Sequence, residues 1–151
     1  MINDALGTRI KTNYENIPKT KLVRRMPVII RIDGKAFHTY TRGFNKPFDD
    51  VLIKSMQDTT AYLCASIQGC MLGYCQSDEI SLLLIDYKRL TSSAWFDYEV
   101  QKLCSISAAM ATLAFNRFFE QNVIDYAKMN PEASQLTKYN AAMARGAMFD
   151  S

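Results

Sequence analysis

Ile30-Arg31-Ile32-Asp33-Gly34-Lys35-Ala36-Phe37-His38 and Gly73-Tyr74-Cys75-Gln76-Ser77-Asp78-Glu79 are the two stretches that decide the reading of this chain. Each sets an acidic residue at the end of an apolar, strand-like run. Residues 28–32 are β-branched apart from Arg31, 70–75 form a second short apolar run, and 80–87 a third. These runs read as strands, with a hairpin turn at 76–79. Asp33 and Asp78 then stand at the mouth of one sheet. Two carboxylates brought together there suit a pair of hard cations, which take oxygen ligands and clamp both oxygens of a phosphoryl transfer.

Working outward, residues 35–47 carry Gly43, Asn45 and Pro47 among aromatics and read as a loop. Asp49 and Asp50 suit an N-cap and first turn. Ile53, Met56, Leu63 and Ile67 follow at helical spacing, and Gly69 is placed as a stop. Ser92 and Ser93 are candidate caps for a second helix over 94–119, with Leu103, Ile106, Met110 and Leu113 as its core stripe. Pro131 fits the first turn of a shorter helix to about 144, ended by Gly146. The order strand, helix, strand, strand, helix is most of a βαββαβ ferredoxin-like unit, an α+β fold. Its last strand is missing or barely started at Phe149-Asp150. Such a bare edge invites pairing with another chain.

The chain of 151 residues, with 48% apolar and 22% charged residues, fits one globular domain. Its net charge of +3 suits a polyanion partner without demanding one. Four cysteines without a CxxC pair, and one histidine, argue against zinc. The uncharged helical stretch 103–115 falls short of the roughly 18 residues that span a bilayer, so no membrane role is expected. Reduced thiols point to the cytoplasm. Arg9, Lys11, Lys19, Lys21, Arg24 and Arg25 read either as a solvated helix and loop covering the sheet or as a phosphate contact.

Gly34 lets the backbone approach an ion or phosphate, and the amides of 34–38 can cradle a triphosphate. Asp-Gly and Ser-Asp-Glu are also ordinary turns. His38 reads as a packed residue beside Phe37 and Tyr40 or as a phosphate contact. Lys46 reads as a solvated loop charge or as a point charge for a phosphate.

RIDGKAFH, KPFDD and GYCQSDEISLLL together resemble the tRNA-histidine guanylyltransferase family and its Thg1-like relatives, whose pattern is RxDGxxFH, KPxD and a YxQSDE hairpin. The match covers roughly residues 5–120 and, more loosely, Phe149-Asp150. The resemblance implies that 1–151 is a polymerase-type catalytic palm, the N-terminal part of a longer architecture. It implies catalytic Asp33, Asp78 and Glu79, with two Mg²⁺ ions on Asp33, Asp78 and the Gly34 carbonyl. It implies nucleotide contacts from Asp33, Gly34, Lys35, Ala36, Phe37, His38, Lys46, Ser77 and Asp78. One departure is Glu99, near a position that is basic in the family.

The expected function is a nucleotidyltransferase that uses GTP and ATP to add nucleotides to the 5′ end of tRNA in the 3′-to-5′ direction. The reaction is guanylate addition to tRNA-His or repair of 5′-truncated tRNA. The family implies a homo-oligomer. The alternatives are a palm-type nucleotide cyclase or forward polymerase, and a non-catalytic RNA-binding or assembly fragment.

Overall fold

Val28, Ile30, Ile32 and Gly34 are buried, whereas Ile29 and Arg31 are exposed and Asp33 is half-buried. That period of two makes residues 28–34 a strand with one face on the core. The computed structural model describes residues 4–151. Helix α1 (Ala5–Ile10) runs on as a π-helical turn, Lys11–Glu15, and is followed by β1 (Val28–Gly34). Next come α2 (Phe37–Tyr40), α3 (Asp50–Ser66), and the strands β2 (Cys70–Gln76) and β3 (Glu79–Leu84). A 3₁₀ turn, Trp95–Tyr98, precedes α4 (Val100–Met129), α5 (Gln135–Arg145) and β4 (Phe149–Asp150).

The strand order is β2-β3-β1-β4, with every neighbouring pair antiparallel. This is the ferredoxin-like arrangement expected, and its last strand, β4, is two residues long. β1 is longer than the expected 28–32. Its ladder carries on through Asp33, opposite Glu79, and Gly34, opposite Phe149. β3 stops at Leu84 instead of 87. Asp86, with no exposed surface, is drawn off the sheet by Arg24 Nε at 2.6 Å and the Arg25 amide at 2.8 Å.

The first long helix, α3, forms where expected, with Met56 and Leu63 buried, although Ile53 is 37% exposed and Ile67 lies just past its end. The Asp49 carboxylate caps it, accepting from the Leu52 amide at 3.0 Å. Gly69, at φ +80°, turns the chain into β2, and a Cβ there would lie 2.5 Å from the Ile85 carbonyl oxygen. Residues 35–47 are not all loop, because α2 forms within them.

The second long helix differs from expectation. It starts at Val100 and runs to Met129. Phe96, Asp97 and Tyr98 are all left-handed, at φ 48°, 53° and 54°, and no α-helix passes through such a run. Ser92 caps no helix; its Oγ accepts from the Arg89 amide. The expected stripe holds at Leu103 but not at Ile106 and Leu113, which are 38% and 52% exposed. The buried stripe is Leu103, Ser107, Ala111, Ala114, Phe115, Phe119, Asn122 and Val123. Its small members let α3 approach closely, and Asn122 Nδ2 donates to Ser55 Oγ on α3 at 3.1 Å. α5 starts at Gln135, not Pro131, and ends at Gly146 as expected.

Phe37, Tyr40, Phe44, Phe115, Phe119 and Phe149 form one aromatic cluster, with ring centroids 5.0–6.1 Å apart at Phe37–Tyr40 and Tyr40–Phe44. It pins α2 against α4 and β4. The N-terminal segment is held by charge. Lys21 and Arg24 pair with Asp97, Arg24 with Asp86, and Lys19 lies 3.9 Å from Glu99. α1 buries no residue, so it does not cover the sheet. No helix among the described residues is long and apolar enough to cross a membrane.

The Arg24 guanidinium, then the Arg25 amide, hold the Asp86 carboxyl below its usual range. A depressed carboxylate pKa contributes stability that is present above the unfolded value and lost as the pH falls through the folded one. Asp86→Asn is therefore expected to lower the melting temperature at pH 7. By thermal denaturation across pH, the gap to wild type should narrow below about pH 4. A gap independent of pH would refute a charge-based role.

Candidate functional site

The β2–β3 hairpin closes in two residues, Ser77 and Asp78, with Gln76 opposite Glu79. Ser77 is left-handed at φ +56°. The turn is latched to the central strand, since the Gly34 amide donates to the Asp78 carbonyl at 3.1 Å. Asp33 and Asp78 are thus delivered to one end of the sheet, as their strand-end positions suggest.

Asp33 lies on the face of β1 that carries the exposed Ile29 and Arg31. Burial first, then the charge of Asp78, push its carboxyl above the ordinary range. Asp150 and Glu79 add to this, while a bond from the Gly34 backbone opposes it. Four carboxylates therefore share one neighbourhood. Asp150, opposite Asp33 on β4, escapes sequence reading as a site residue because only the sheet register brings it there. Glu79 is less free than expected: Arg31 Nη1 lies 3.4 Å from its Oε2.

The oxygen donors fit a hard divalent cation. Asp33, Asp78 and the Gly34 carbonyl form a chemically suitable set, and a cation would offset the burial and the repulsion that raise the Asp33 pKa. No three His, Cys, Asp or Glu side chains among the described residues converge closely enough to hold a metal by themselves. Phosphate oxygens of a substrate are the natural source of the remaining ligands.

Beside this cluster lies a cleft of about 440 Å³, lined by Gly34, Ala36, Phe37, His38, Thr41, Lys46, Leu52, Ser77 and Asp78. It brings together seven of the expected nucleotide contacts: Gly34, Ala36, Phe37, His38, Lys46, Ser77 and Asp78. Lys35 is exposed and, like Asp33, outside the cleft lining. Thr41 and Leu52 are additions from the tertiary structure.

The cradle is narrower than the run 34–38. The Gly34 amide is taken by Asp78, and the Lys35 amide donates to the Met148 carbonyl at 2.9 Å. This leaves Ala36, Phe37 and His38 as the amides of that run without a main-chain acceptor among the described residues. Ala36 opens the turn in the left-handed region, at φ +53°. Gly34 has a second reason to be glycine, because a Cβ there would collide with the Phe37 ring. Phe37 itself is 4% exposed and lies in the aromatic core, so it faces the cleft mainly with backbone. His38 is exposed, with Nε2 3.1 Å from Thr39 Oγ1. Lys46 forms no ion pair among the described residues.

The acidic residue at 99 is locally compensated. Glu99 is 8% exposed, and its Oε2 lies 3.9 Å from both Lys19 and Lys102. Lys102 also sits 5.7 Å from the Phe96 ring centroid.

Comparison with known proteins agrees with these features. A family described as Thg1, tRNAHis guanylyltransferase, matches residues 8–151. Two solved structures of a bacterial tRNA(His) guanylyltransferase (Thg1)-like protein, in complex with GTP and with ATP, superpose with TM-scores of 0.74 and 0.72 at 41% and 42% identity. Each alignment covers 97% of this chain and 56% of that protein. The tRNA(His) guanylyltransferase of Debaryomyces hansenii is 34% identical over 98 residues, covering 64% of this chain and 34% of the relative. The chain thus spans about half the length of the solved relatives it matches, and less of this curated one. On the strength of its two acidic strand-end motifs, their place in the sheet and this match over nearly its whole length, the chain belongs to the tRNAHis guanylyltransferase family.

Proposed function

We propose that this chain carries the catalytic palm of a nucleotidyltransferase that adds nucleotides to the 5′ end of tRNA in the 3′-to-5′ direction. The reaction is guanylate addition to tRNA-His or repair of a truncated 5′ end, with GTP and ATP as substrates. One observation carries the reading: Gly34, residues 36–38, Lys46 and the 77–78 turn, distant in sequence, surround one cleft beside Asp33. Relatives of like fold that are described in complex with GTP and ATP support it.

Asp33, Asp78 and the Gly34 carbonyl would hold two Mg²⁺ ions, which supply charge neutralisation at the phosphates and activation of the attacking oxygen. Lys46 and the amides of Ala36, Phe37 and His38 would bind and orient the triphosphate. Ser77 Oγ donates to Asp78 Oδ1 at 2.9 Å and fixes that carboxylate. Glu79, across the ladder from Asp33, completes the acidic set. Catalysis of this kind is positioning and electrostatics, and it needs no covalent nucleophile. The reading extends to a cytoplasmic homo-oligomer. Free Cys64, Cys70, Cys75 and Cys104 favour a reducing compartment. Exposed Leu113 and Met148, near the short edge strand β4, offer apolar surface for association.

The direct test is incubation of the protein with 5′-truncated tRNA, Mg²⁺ and each nucleoside triphosphate. Asp33→Ala and Asp78→Ala should reduce transfer to background with the fold retained. Near-normal transfer in either variant would refute the metal assignment, and a cyclic nucleotide product would move the chain to the cyclase reading. Lys46→Ala should weaken GTP binding about tenfold by titration calorimetry, the equivalent of one charge-assisted contact. Its melting temperature should hold.

A stability measurement probes the same carboxylates without turnover. A folded-state pKa above the unfolded one means that the charged form is disfavoured in the fold, so wild type gains stability on acidification. Without divalent cations, Asp33→Asn should melt higher than wild type at pH 7. The advantage should fade as the pH drops through the raised Asp33 value. Equal melting temperatures at pH 7 would show that the fold does not disfavour the charged Asp33.

A further inference from the structure

We infer that α5 is a positioning brace for the nucleotide cleft, acting through Tyr139 and Gln135 on the wall that carries Lys46. The inference rests on the proposed function of that cleft. Three side chains spread along α5 each donate one hydrogen bond to the segment between β1 and α3. Gln135 Nε2 donates to the Gly43 carbonyl at 2.8 Å. The Tyr139 hydroxyl donates to Asp49 Oδ2 at 2.9 Å, and Arg145 Nη2 donates to the Tyr40 carbonyl at 2.9 Å. These donors span about 15 Å of helix. They grip the segment that contributes His38, Thr41 and Lys46 to the cleft. Among the described residues, α5 side chains make no hydrogen bond to β1 or to the 77–78 turn, which supply the acidic side of the site.

Asp49 is the link in this chain of contacts. It is 3% exposed, and its two oxygens serve three donors. Oδ1 accepts from the Leu52 amide at 3.0 Å, and Oδ2 accepts from both the Asn45 amide at 3.1 Å and Tyr139. One carboxylate thus ties α5, the start of α3 and the residue before Lys46 together. Tyr139 is 1% exposed and packs edge-on against Phe44 at 5.1 Å, so it has little freedom to move. Burial, then the bond to Asp49, raise its phenol pKa, which keeps the donor proton in place. The approach is close: a Cβ at Gly43, where φ is +87°, would lie 3.1 Å from Lys138 Cδ. Removing the Tyr139 hydroxyl leaves a buried carboxylate one donor short and frees the Asn45–Lys46 backbone to shift. A cationic contact on a shifted wall binds a triphosphate less well, because productive geometry tolerates only small displacements.

The test uses the full protein with Mg²⁺ and GTP as the probe, in wild type, Tyr139→Phe, Gln135→Ala and Lys46→Ala. Titration calorimetry should show Tyr139→Phe binding GTP about tenfold more weakly and Gln135→Ala about threefold more weakly. Hydrogen exchange should quicken at Asn45 and Lys46 in Tyr139→Phe and stay unchanged across residues 79–84. Wild-type affinity in both brace variants, with Lys46→Ala weakened, overturns the brace and leaves the cleft standing. Wild-type affinity in all three variants, or no GTP binding by wild type, overturns the cleft itself and the brace with it. Exchange that quickens throughout the sheet of Tyr139→Phe marks a general loss of stability and also overturns the brace. If Tyr139→Phe does not fold, Gln135→Ala decides, since the half-buried Gln135 lies outside the buried core.

Discussion

The antiparallel ladder between β1 and β3 is the constraint on which the rest of the structure depends. It pairs Val28 through Asp33 with Leu84 through Glu79. A slip of one residue would turn Ile30 and Ile32 out to solvent and Asp33 into the core. Ile32, Ile80, Leu82 and Leu84 have no exposed surface, and each buried aliphatic side chain contributes about 1.5–3 kcal/mol. Several of these together exceed the repulsion among carboxylates at a partly solvated sheet end, where effective dielectric values are high. The ladder can therefore hold Asp33, Asp78, Glu79 and Asp150 together, against their mutual preference.

The same end of the sheet is anchored by aromatic packing. Phe37 sits over Gly34 and contacts Phe115 and Phe149, so the turn that follows Asp33 is fixed from the core side. Its polar side is left to the cleft. Phe37 and His38, adjacent in sequence, thereby do different work: Phe37 is buried and His38 exposed. The N-terminal segment is organised by another kind of force. Arg24 and Lys21 converge on Asp86 and Asp97, at the left-handed run that delays α4. Their positive charge is thus spent on intramolecular pairs, which weakens the case for these two residues as free phosphate contacts.

Much of the architecture was legible because strong local patterns agreed with the fold. The β-branched run at 28–32, the Asp49 cap and the Gly69 stop each followed from local chemistry. The start of α4 did not. Nothing in Phe96-Asp97-Tyr98 requires positive φ, and the tertiary salt links on Asp97 accompany it. Ile106 and Leu113 depart from the expected α4 stripe because apolarity alone does not fix burial. Where two helices approach closely, Ser107, Ala111 and Ala114 fill the interface and large side chains are displaced to the outside. The space left by the missing Cβ of Gly34, suited by sequence to an ion, is filled on the core side by the Phe37 ring.

By itself the sequence determined the strand and helix order, the acidic residues at two strand ends and the family motifs, because these are local patterns of polarity, chain stiffness and turn chemistry. Only the tertiary structure decided that Asp150 joins Asp33, that Glu79 pairs with Arg31 and that Lys19 reaches Glu99. It alone decided which amides of 34–38 stay free and that Tyr139 reaches Asp49 from 90 residues away. These are long-range pairings, set by register and by which faces pack. Residue type limits what each group can do, whereas the folded backbone decides which groups meet.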